Sequence, residues 1–263
     1  MKNTCSGIVA VLLTASLYAC TDEAADLVVG ANIGNVPWEF QESSGDFIGF
    51  EIDLVNEIGA RLGKSVAIVN IPFNGLFSAV QSGRIDIALS SITITDKRLG
   101  SVSFTQPYYD SAQSLTVSSD SPANGMSDIA GKIIGVDTGS TGDMWTTANQ
   151  QKYGIGEIRR YEGLAPAMLD LQSGRIDGYI SDIPSLEYFI KDKPYFKVVE
   201  RIETGERYSM MLAKGSQLAE DANEVISTLK QEGFVAALHE KWFGSTPADN
   251  SSTVAVLDKP ASY

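Results

Sequence analysis

The feature of this amino-acid sequence that most limits its possible folds is an internal repeat. Residues 81–92 recur as residues 172–183, at an offset of 91 residues and with eight of the twelve positions identical. In each copy an apolar pattern of helical spacing precedes a glycine suited to the end of a helix, and an apolar run of strand length follows it. Two copies of one helix–strand unit predict two lobes, with a single continuous domain and a chance repeat as the alternative.

A fainter match supports the same division. Residues 29–34 resemble residues 134–139, because each segment follows a polar lead-in and ends in a turn that contains glycine. Strands that alternate with helices are typical of mainly parallel sheets covered by helices on both faces. The sequence therefore predicts an α/β fold with two such sheets.

The order of these segments predicts where the chain passes between the lobes. We expect residues 26–117 to form the first segment of lobe one, residues 118–206 to form lobe two, and residues 207–244 to return the chain to lobe one. The two crossings between the lobes would act as a hinge. Beyond Gly244 the composition turns polar, as at Asp249, Asn250, Ser251 and Ser252, and we expect residues 245–263 to form a flexible tail.

Residues 1–19 have the pattern of an export signal, because Lys2 precedes an apolar run that is too short to span a membrane permanently. The run ends in a Leu-Tyr-Ala-Cys sequence that resembles a lipobox, so we expect Cys20 to carry a lipid and residues 20–25 to form a tether. The bulky Tyr18 leaves ordinary signal cleavage as the alternative. We expect a monomer in the periplasm or elsewhere outside the cytoplasm, attached to the membrane through this lipid.

Charge and the scarcity of reactive side chains exclude several classes of function. The chain carries 20 Lys and Arg residues against 33 Asp and Glu residues, a net charge of −13, whereas nucleic-acid binding needs a positive surface. His239 is the only histidine and neither cysteine lies beyond position 20, which argues against Ser-His-Asp and Cys-His catalysis. We therefore expect no nucleic-acid partner, no metal site and no cofactor.

Polar side chains follow the two repeated strands at the points where ligands bind in open parallel sheets. Ser90, Ser91 and Thr93 follow the lobe-one strand, and Asp182 follows its counterpart in lobe two. Ser91 and Asp182 occupy the same position of the repeat. We expect them to approach each other across a cleft between the lobes.

Arg98 is the candidate for an anion site in lobe one. Thr95 is a suitable N-cap, which places Arg98 in the first turn of a helix, where a cation opposes the helix dipole and a bound anion would compensate. A solvated surface arginine is the alternative. Ser140 and Thr141 open a helix in lobe two in the same way, with plain helix capping as the alternative.

The positive charge of Arg98 and the negative charge of Asp182 together suggest a class of ligand. Arg98 could hold a carboxylate and Asp182 an ammonium group, and an α-amino acid carries both groups on adjacent atoms. Phe73 lies between a strand and its helix and could cover the ligand's side chain, although a place in the core is the alternative.

Several longer motifs occur in one order along the chain. They are Pro37-Trp38-Glu39-Phe40, Gly49-Phe50-Glu51-Ile52-Asp53-Leu54, Thr93-Ile94-Thr95-Asp96-Lys97-Arg98, Phe104-Thr105-Gln106-Pro107-Tyr108-Tyr109, Gly139-Ser140-Thr141, Gly174-Arg175-Ile176-Asp177 and Lys241-Trp242-Phe243-Gly244. With them the chain resembles the polar-amino-acid solute-binding proteins of family 3, which have the type II periplasmic-binding fold. The resemblance implies a clamshell of two mainly parallel sheets flanked by helices and joined by two hinge crossings. It also implies the substrate-binding component of an ABC transporter, which closes around an L-amino acid and delivers it to a membrane permease.

The resemblance also implies roles for single residues around the α-carbon of the ligand. Arg98 and Thr93 would hold the carboxylate, assisted by the amides of Ser140 and Thr141. Ser91 and Asp182 would bind the ammonium group, and Phe73 would stack on the side chain.

At the far end of the ligand this chain departs from the family pattern. Relatives commonly have a second aromatic residue where this chain has Asn35, so the aromatic sandwich is in doubt, and Trp38 is a candidate to replace it. Asn32 and Asp137 would face the end of the ligand's side chain. An acid at Asp137 could pair with the charged end of arginine, lysine or ornithine, although a turn-capping role is the alternative.

The main alternative to a binding protein is an enzyme. Some proteins of this fold resemble cyclohexadienyl dehydratases, which act on prephenate or arogenate and in which a glutamate is expected at the position of Asp182. The shorter acid in this chain favours ammonium binding, so we expect no enzymatic activity.

Overall fold

The computed structural model describes residues 25–257. The predicted export signal at 1–19, Cys20 and all but the last residue of the predicted tether lie outside the described residues. Residues 258–263 of the predicted tail lie outside them as well.

Twelve strands and eight α-helices form within residues 25–257. The strands are β1 (Leu27–Ala31), β2 (Phe40–Gln41), β3 (Phe47–Ile48), β4 (Val66–Asn70), β5 (Ile87–Leu89), β6 (Val102–Phe104), β7 (Tyr109–Ser118), β8 (Ile133–Asp137), β9 (Glu157–Tyr161), β10 (Gly178–Asp182), β11 (Phe196–Tyr208) and β12 (Met211–Ala213). The helices are α1 (Phe50–Leu62), α2 (Phe73–Gln81), α3 (Asp96–Leu99), α4 (Thr141–Tyr153), α5 (Leu164–Gln172), α6 (Ile183–Ile190), α7 (Gln217–Gln231) and α8 (Phe234–Phe243).

Two five-stranded sheets form the centres of the two lobes. The order in lobe one is β4-β1-β5-β12-β6, and in lobe two it is β11-β7-β10-β8-β9. Parallel pairs connect β4, β1 and β5 in the first sheet and β9, β8 and β10 in the second, whereas β12 and β7 run antiparallel to their neighbours. The predicted two-lobed α/β fold is confirmed.

Helices cover both faces of the first sheet, and the alternation of side chains along its strands explains this. Ile87 and Leu89 of β5 point to the core formed with α1, α7 and α8, whereas Ala88 between them points to the core formed with α2. Met211 and Leu212 of β12 divide between the two cores in the same way. A strand that is buried on both faces has to be apolar throughout, as these strands are.

The repeated sequence forms the same unit in both lobes. In lobe one α2 ends before Gly83, which has a φ of 71°, and β5 follows. In lobe two α5 ends before Gly174, which has a φ of 72°, and β10 follows. Both glycines adopt the left-handed conformation that closes a helix, as the repeat predicts.

The predicted boundary between the lobes at residue 117 is wrong. Strand β7 pairs with β10 and β11, so the chain has already entered lobe two at Tyr109. The first crossing is therefore the segment 105–108, and the second follows β11 at Tyr208. A segment with a strand-like sequence fits either sheet, and only its pairing partners decide which one it joins.

The prediction of a flexible tail is also wrong for residues 245–257. Ser252 is buried, and its backbone N–H and its hydroxyl both donate to Asp110 at the start of lobe two. The amine of Lys230 on α7 donates to the carbonyl oxygens of Ala255 at 2.9 Å and Pro107 at 2.7 Å. Ser252 and the Ala255 carbonyl are thus bonded to the body of the protein, which fixes this part of the segment.

Candidate functional site

A cavity of about 110 Å³ lies between the lobes, at the carboxyl ends of the strands. Eleven of the twelve residues predicted for the ligand site line it. They are Asn32, Asn35, Phe73, Ser90, Ser91, Thr93, Arg98, Asp137, Ser140, Thr141 and Asp182. The structure therefore brings together residues that are up to 150 positions apart, and it places Arg98 and Asp182 in the walls of the same cavity.

The lobes touch across this cavity. The hydroxyl of Ser91 donates to Asp182 Oδ2 at 3.2 Å, and the hydroxyls of Thr93 and Thr141 lie 3.4 Å apart. Asp182 and Thr141 belong to lobe two, and the other two residues belong to lobe one. The structure is therefore a closed arrangement of the clamshell.

Arg98 is buried and not a solvated surface side chain. The hydroxyl of Thr95 accepts a hydrogen bond from the backbone N–H of Arg98, which confirms the predicted N-cap of α3. The guanidinium donates to the carbonyl of Thr93 at 2.7 Å and lies 5.7 Å from the ring centre of Phe73 and 5.0 Å from that of Phe77. These contacts fix the direction of the guanidinium and leave Phe73 at the wall of the cavity.

Ser91 has a backbone conformation that non-glycine residues rarely adopt. Its φ is 45°, at a typical cost of roughly 1–2 kcal/mol. Its N–H donates to both carboxylate oxygens of Glu51 at 3.0 Å. The glutamate therefore holds the strained backbone in place and directs the Ser91 hydroxyl to the cavity.

Two buried acids behind this wall were missed in the sequence analysis. Glu39 accepts hydrogen bonds from Ser90 at 2.6 Å and from Asn35 at 3.1 Å, and Glu51 accepts one from Tyr108 as well as those from Ser91. Burial raises the pKa of Glu51, and burial together with the nearby charge of Glu51 raises the pKa of Glu39 well above its usual range. Both glutamates lie within the quoted motifs, but nothing in the spacing of those motifs shows that their side chains meet.

Asp182 forms the acidic end of the cavity. Its Oδ1 accepts a hydrogen bond from Gln113 Nε2 at 2.5 Å, and the same amide nitrogen lies 2.9 Å from Oε1 of Glu206. Burial, and next the negative charge of Glu206, raises the pKa of Asp182 to about 8. Gln113 and Glu206 were also missed in the sequence analysis, because they lie on the crossing strands β7 and β11 outside the repeated units.

Asp137 lies at another part of the cavity wall. Its Oδ2 accepts a hydrogen bond from the hydroxyl of Tyr179 at 2.6 Å, whereas its Oδ1 is buried without a partner. Burial raises the pKa of Asp137 to about 6. A buried carboxylate oxygen without a donor favours a ligand that brings one.

Trp38 is the one predicted site residue that does not line the cavity, so the suggestion that it replaces the missing aromatic residue is wrong. It is fully buried in the core of lobe one, with its ring centre 5.5 Å from that of Phe50 and 5.3 Å from that of Tyr208. Its indole N–H donates to Ser185 of lobe two at 3.0 Å, and the Ser185 hydroxyl in turn donates to Asn35 at 3.0 Å. Trp38 therefore contributes a contact between the lobes.

Within residues 25–257 no group of three or more His, Cys, Asp or Glu side chains is arranged to hold a metal ion. In the same part of the chain, no helix has the length and apolar character needed to cross a bilayer.

Known proteins of related sequence match most of the chain. The family model for bacterial extracellular solute-binding proteins, family 3, matches residues 27–245. The chain is 28% identical over 227 residues to the L-cystine-binding protein TcyJ of Escherichia coli, covering 85% of this chain and 84% of the relative. It is 31% identical over 243 residues to the L-arginine-binding protein of Pseudomonas aeruginosa, covering 88% of this chain and 93% of the relative.

Solved structures agree as well. The arginine-, lysine-, histidine-binding protein ArtJ from Geobacillus stearothermophilus superposes with a TM-score of 0.78 at 30% identity, over 85% of this chain and 97% of that structure. Both the predicted resemblance and the predicted fold are confirmed. The chain belongs to family 3 of the bacterial extracellular solute-binding proteins.

Proposed function

We propose that this protein is the substrate-binding component of an ABC importer. It binds an L-amino acid outside the cytoplasm, closes its lobes around it and delivers it unchanged to a membrane permease. The observation that carries this proposal is that Arg98 and Asp182 line one cavity from opposite lobes. A cation and an anion held apart in this way match the carboxylate and the ammonium group of a zwitterion.

The carboxylate of the ligand would bind at the Arg98 side of the cavity. The guanidinium is held by the carbonyl of Thr93, and across the cleft Ser140 caps the N-terminus of α4. Free backbone N–H groups at a helix N-terminus favour an anion, and so does the helix dipole. The carboxylate would therefore be bound by both lobes at once.

The ammonium group would bind at Asp182 and the Ser91 hydroxyl. In the closed cleft the raised pKa of Asp182 shows that its negative charge is costly without a positive partner. An ammonium group supplies that partner and stabilises the ionised carboxylate. Closure without a ligand would bury the negative charge of Asp182 without a partner. The ligand's ammonium group neutralises that charge and would therefore favour the closed form.

We further propose a preference for basic amino acids such as arginine, lysine or ornithine. The support is the Oδ1 atom of Asp137, which is buried without a hydrogen-bond donor in the wall of the cavity. A guanidinium or side-chain ammonium group would supply both the donor and the opposite charge. Two of the relatives described above have names that include arginine.

Calorimetric titration with the twenty standard amino acids, L-ornithine and L-cystine tests the proposal. We expect tight binding of at least one, and near loss of that binding in the variants Arg98→Ala and Asp182→Ala. Each variant leaves a buried charge of the ligand unpaired, which costs about 3–5 kcal/mol and corresponds to at least a 10²–10³-fold loss of affinity. Wild-type affinity in both variants, or no binding of any amino acid by the wild type, would refute the proposal.

Native mass spectrometry of freshly purified protein would identify a ligand carried through purification. Incubation with prephenate or arogenate tests the absence of enzymatic activity, because we expect both compounds to remain unchanged. Conversion of either compound would support the rival dehydratase function.

We also propose that residues 1–19 direct export and that Cys20 anchors a monomeric protein to the membrane through a lipid. The support is the Leu-Tyr-Ala-Cys sequence at the end of the apolar run. The variant Cys20→Ser is expected to move the protein from the membrane fraction to the soluble extracytoplasmic fraction. An unchanged distribution would argue for ordinary signal cleavage.

A further inference from the structure

Glu206 is a buried acid in the strand that returns the chain from lobe two to lobe one. It lies near the end of β11 and is 1% exposed. Its Oε2 accepts hydrogen bonds from the hydroxyls of Thr93 at 2.8 Å and Thr141 at 3.0 Å. Its Oε1 accepts from Gln113 Nε2 at 2.9 Å and from Thr204 at 3.2 Å.

These contacts determine how two cavity residues present their hydroxyls. A threonine hydroxyl has one hydrogen to donate and two lone pairs to accept with. Thr93 and Thr141 donate their hydrogens to Glu206, so only their lone pairs remain for the cavity. The two hydroxyls therefore cannot donate to the ligand's carboxylate, contrary to the role expected of the Thr93 side chain, and they favour a ligand group that donates hydrogen bonds, such as an ammonium group.

Glu206 also places a second negative charge next to Asp182. One nitrogen atom, Gln113 Nε2, lies within hydrogen-bonding distance of a carboxylate oxygen of each residue. The salt bridges among residues 25–257 include neither Asp182 nor Glu206. The two acids thus form a paired acidic end of the cleft, with the neutral Gln113 amide between them.

We propose that Glu206 is a specificity-determining residue of the amino-acid site, which together with Asp182 makes a protonated amino group obligatory in the ligand. The proposal rests on the proposed function and adds a residue to it. Asp182 contacts the ammonium group, whereas Glu206 acts through the orientation of Thr93 and Thr141 and through its charge. A ligand without the amino group would leave both carboxylates buried without a cation.

The variant Glu206→Gln tests this inference because it removes the charge and keeps the shape. Two probes are titrated by calorimetry: the standard L-amino acid that the wild type binds most tightly, and the carboxylic acid that differs only in having hydrogen in place of its α-amino group. We expect the wild type to prefer the amino acid strongly, and we expect this preference to fall at least about 10-fold in Glu206→Gln. The reason is that the neutral amide both weakens ammonium binding and lowers the cost of burying a ligand without it.

The matched control is Glu203→Gln, which makes the same change at a 75%-exposed side chain on the same strand. We expect it to leave the preference unchanged. If Glu206 served only to hold the closed lobes together, both probes would weaken equally and the ratio of their affinities would not change. That unchanged ratio would overturn the inference.

A second variant separates charge from folding. Glu206→Asp keeps the charge on a shorter side chain, so we expect it to keep the preference for the amino acid even where the affinity falls. Loss of the preference in Glu206→Asp would overturn the inference, even if Glu206→Gln does not fold. If the wild type binds no amino acid, the proposed function fails and the inference fails with it, whereas an unchanged preference in Glu206→Gln refutes the inference alone.

Discussion

Asp137 and Asp182 line the same cavity but differ in what surrounds them. Asp182 has Gln113 and Ser91 as donors and a second acid nearby, whereas Asp137 has one oxygen bonded to Tyr179 and one without a partner. Burial raises the pKa of Asp182 to about 8 and the pKa of Asp137 to about 6. The two carboxylates are thus suited to two separate cationic groups of one ligand.

The role of Asp137 can be tested by the variant Asp137→Asn, which keeps the shape of the side chain and its hydrogen bond from Tyr179. We expect the ratio of arginine affinity to glutamine affinity to fall by about 10-fold or more, because only arginine brings a charge for the buried oxygen to pair with. Calorimetry with both amino acids measures this ratio. Asp192→Asn, the same change at an exposed position of lobe two, should leave it unaltered. An unaltered ratio in Asp137→Asn would remove the case for a basic ligand.

How much of the site could be predicted from the sequence differs from residue to residue. The repeat itself predicted that Ser91 and Asp182 face each other, because equivalent positions in two equivalent units meet across a cleft. Glu51 and Glu206 were missed because each acts through a contact with a residue far away in the sequence. An acidic side chain has no local pattern that distinguishes a buried position from a solvated one.

Among the elements, the segment after α8 differs most from what its composition predicts. Residues 245–253 are mainly polar, yet Ser252 is buried and bonded to Asp110, and the carbonyl of Ala255 in the apolar run that follows is bonded to Lys230. The segment thus connects α7 to the start of β7. The composition of a segment shows which residues water can solvate. It does not show whether the folded protein offers hydrogen-bond partners that allow the same residues to be buried.

Lys230 makes the stability of this segment depend on pH. Burial lowers the pKa of Lys230 to about 7 in the folded protein, against an ordinary value of 10.5. Between these values the unfolded chain binds one more proton than the folded chain, so this group adds stability as the pH rises from about 7 toward 10.5. We therefore expect the difference in melting temperature between the wild type and Lys230→Met to be larger at pH 9.5 than at pH 6.

The wild type should melt at the higher temperature at both pH values, because the variant leaves the oxygens of Gln106, Pro107 and Ala255 without their donor. Lys152→Met, at an exposed position, serves as the control and should show no such dependence on pH. A difference that stays constant or shrinks as the pH rises would contradict the prediction.

For the molecule as a whole, the contacts between the lobes bear on the proposed opening and closing of the cleft. Ser185 of lobe two is buried between Trp38 and Asn35 of lobe one and bonds to both at 3.0 Å. Contacts that exist only in the closed form stabilise it against reopening. They should therefore affect how long the ligand stays bound more than how fast it arrives.

The variant Ser185→Ala tests this, because it removes both hydrogen bonds and little volume. At about 0.5–1.5 kcal/mol for each bond, we expect the rate of ligand dissociation to rise on the order of 10-fold. The association rate should change much less, and stopped-flow fluorescence measures both rates. The exposed Ser127→Ala serves as the control. An unchanged dissociation rate would show that this contact does not hold the lobes closed.

The sequence predicted two lobes and a hinge but placed the entry into lobe two nine residues too late. The repeat specifies the helix–strand units at the centre of each sheet. Strands β7 and β11 lie outside those units, and they pair mainly with each other. Nothing within either strand shows that its partner is about ninety residues away.

The pairing of these two crossing strands has a consequence for how such proteins can be rebuilt. Tyr109 and Tyr208 are register partners, so the points of entry and exit of lobe two lie side by side. Lobe two is therefore an insertion with neighbouring ends, which is the arrangement that tolerates grafting. Residues 109–208 could therefore be exchanged as one unit between relatives. Asp137 and Asp182 would then be transferred together onto lobe one of another family member.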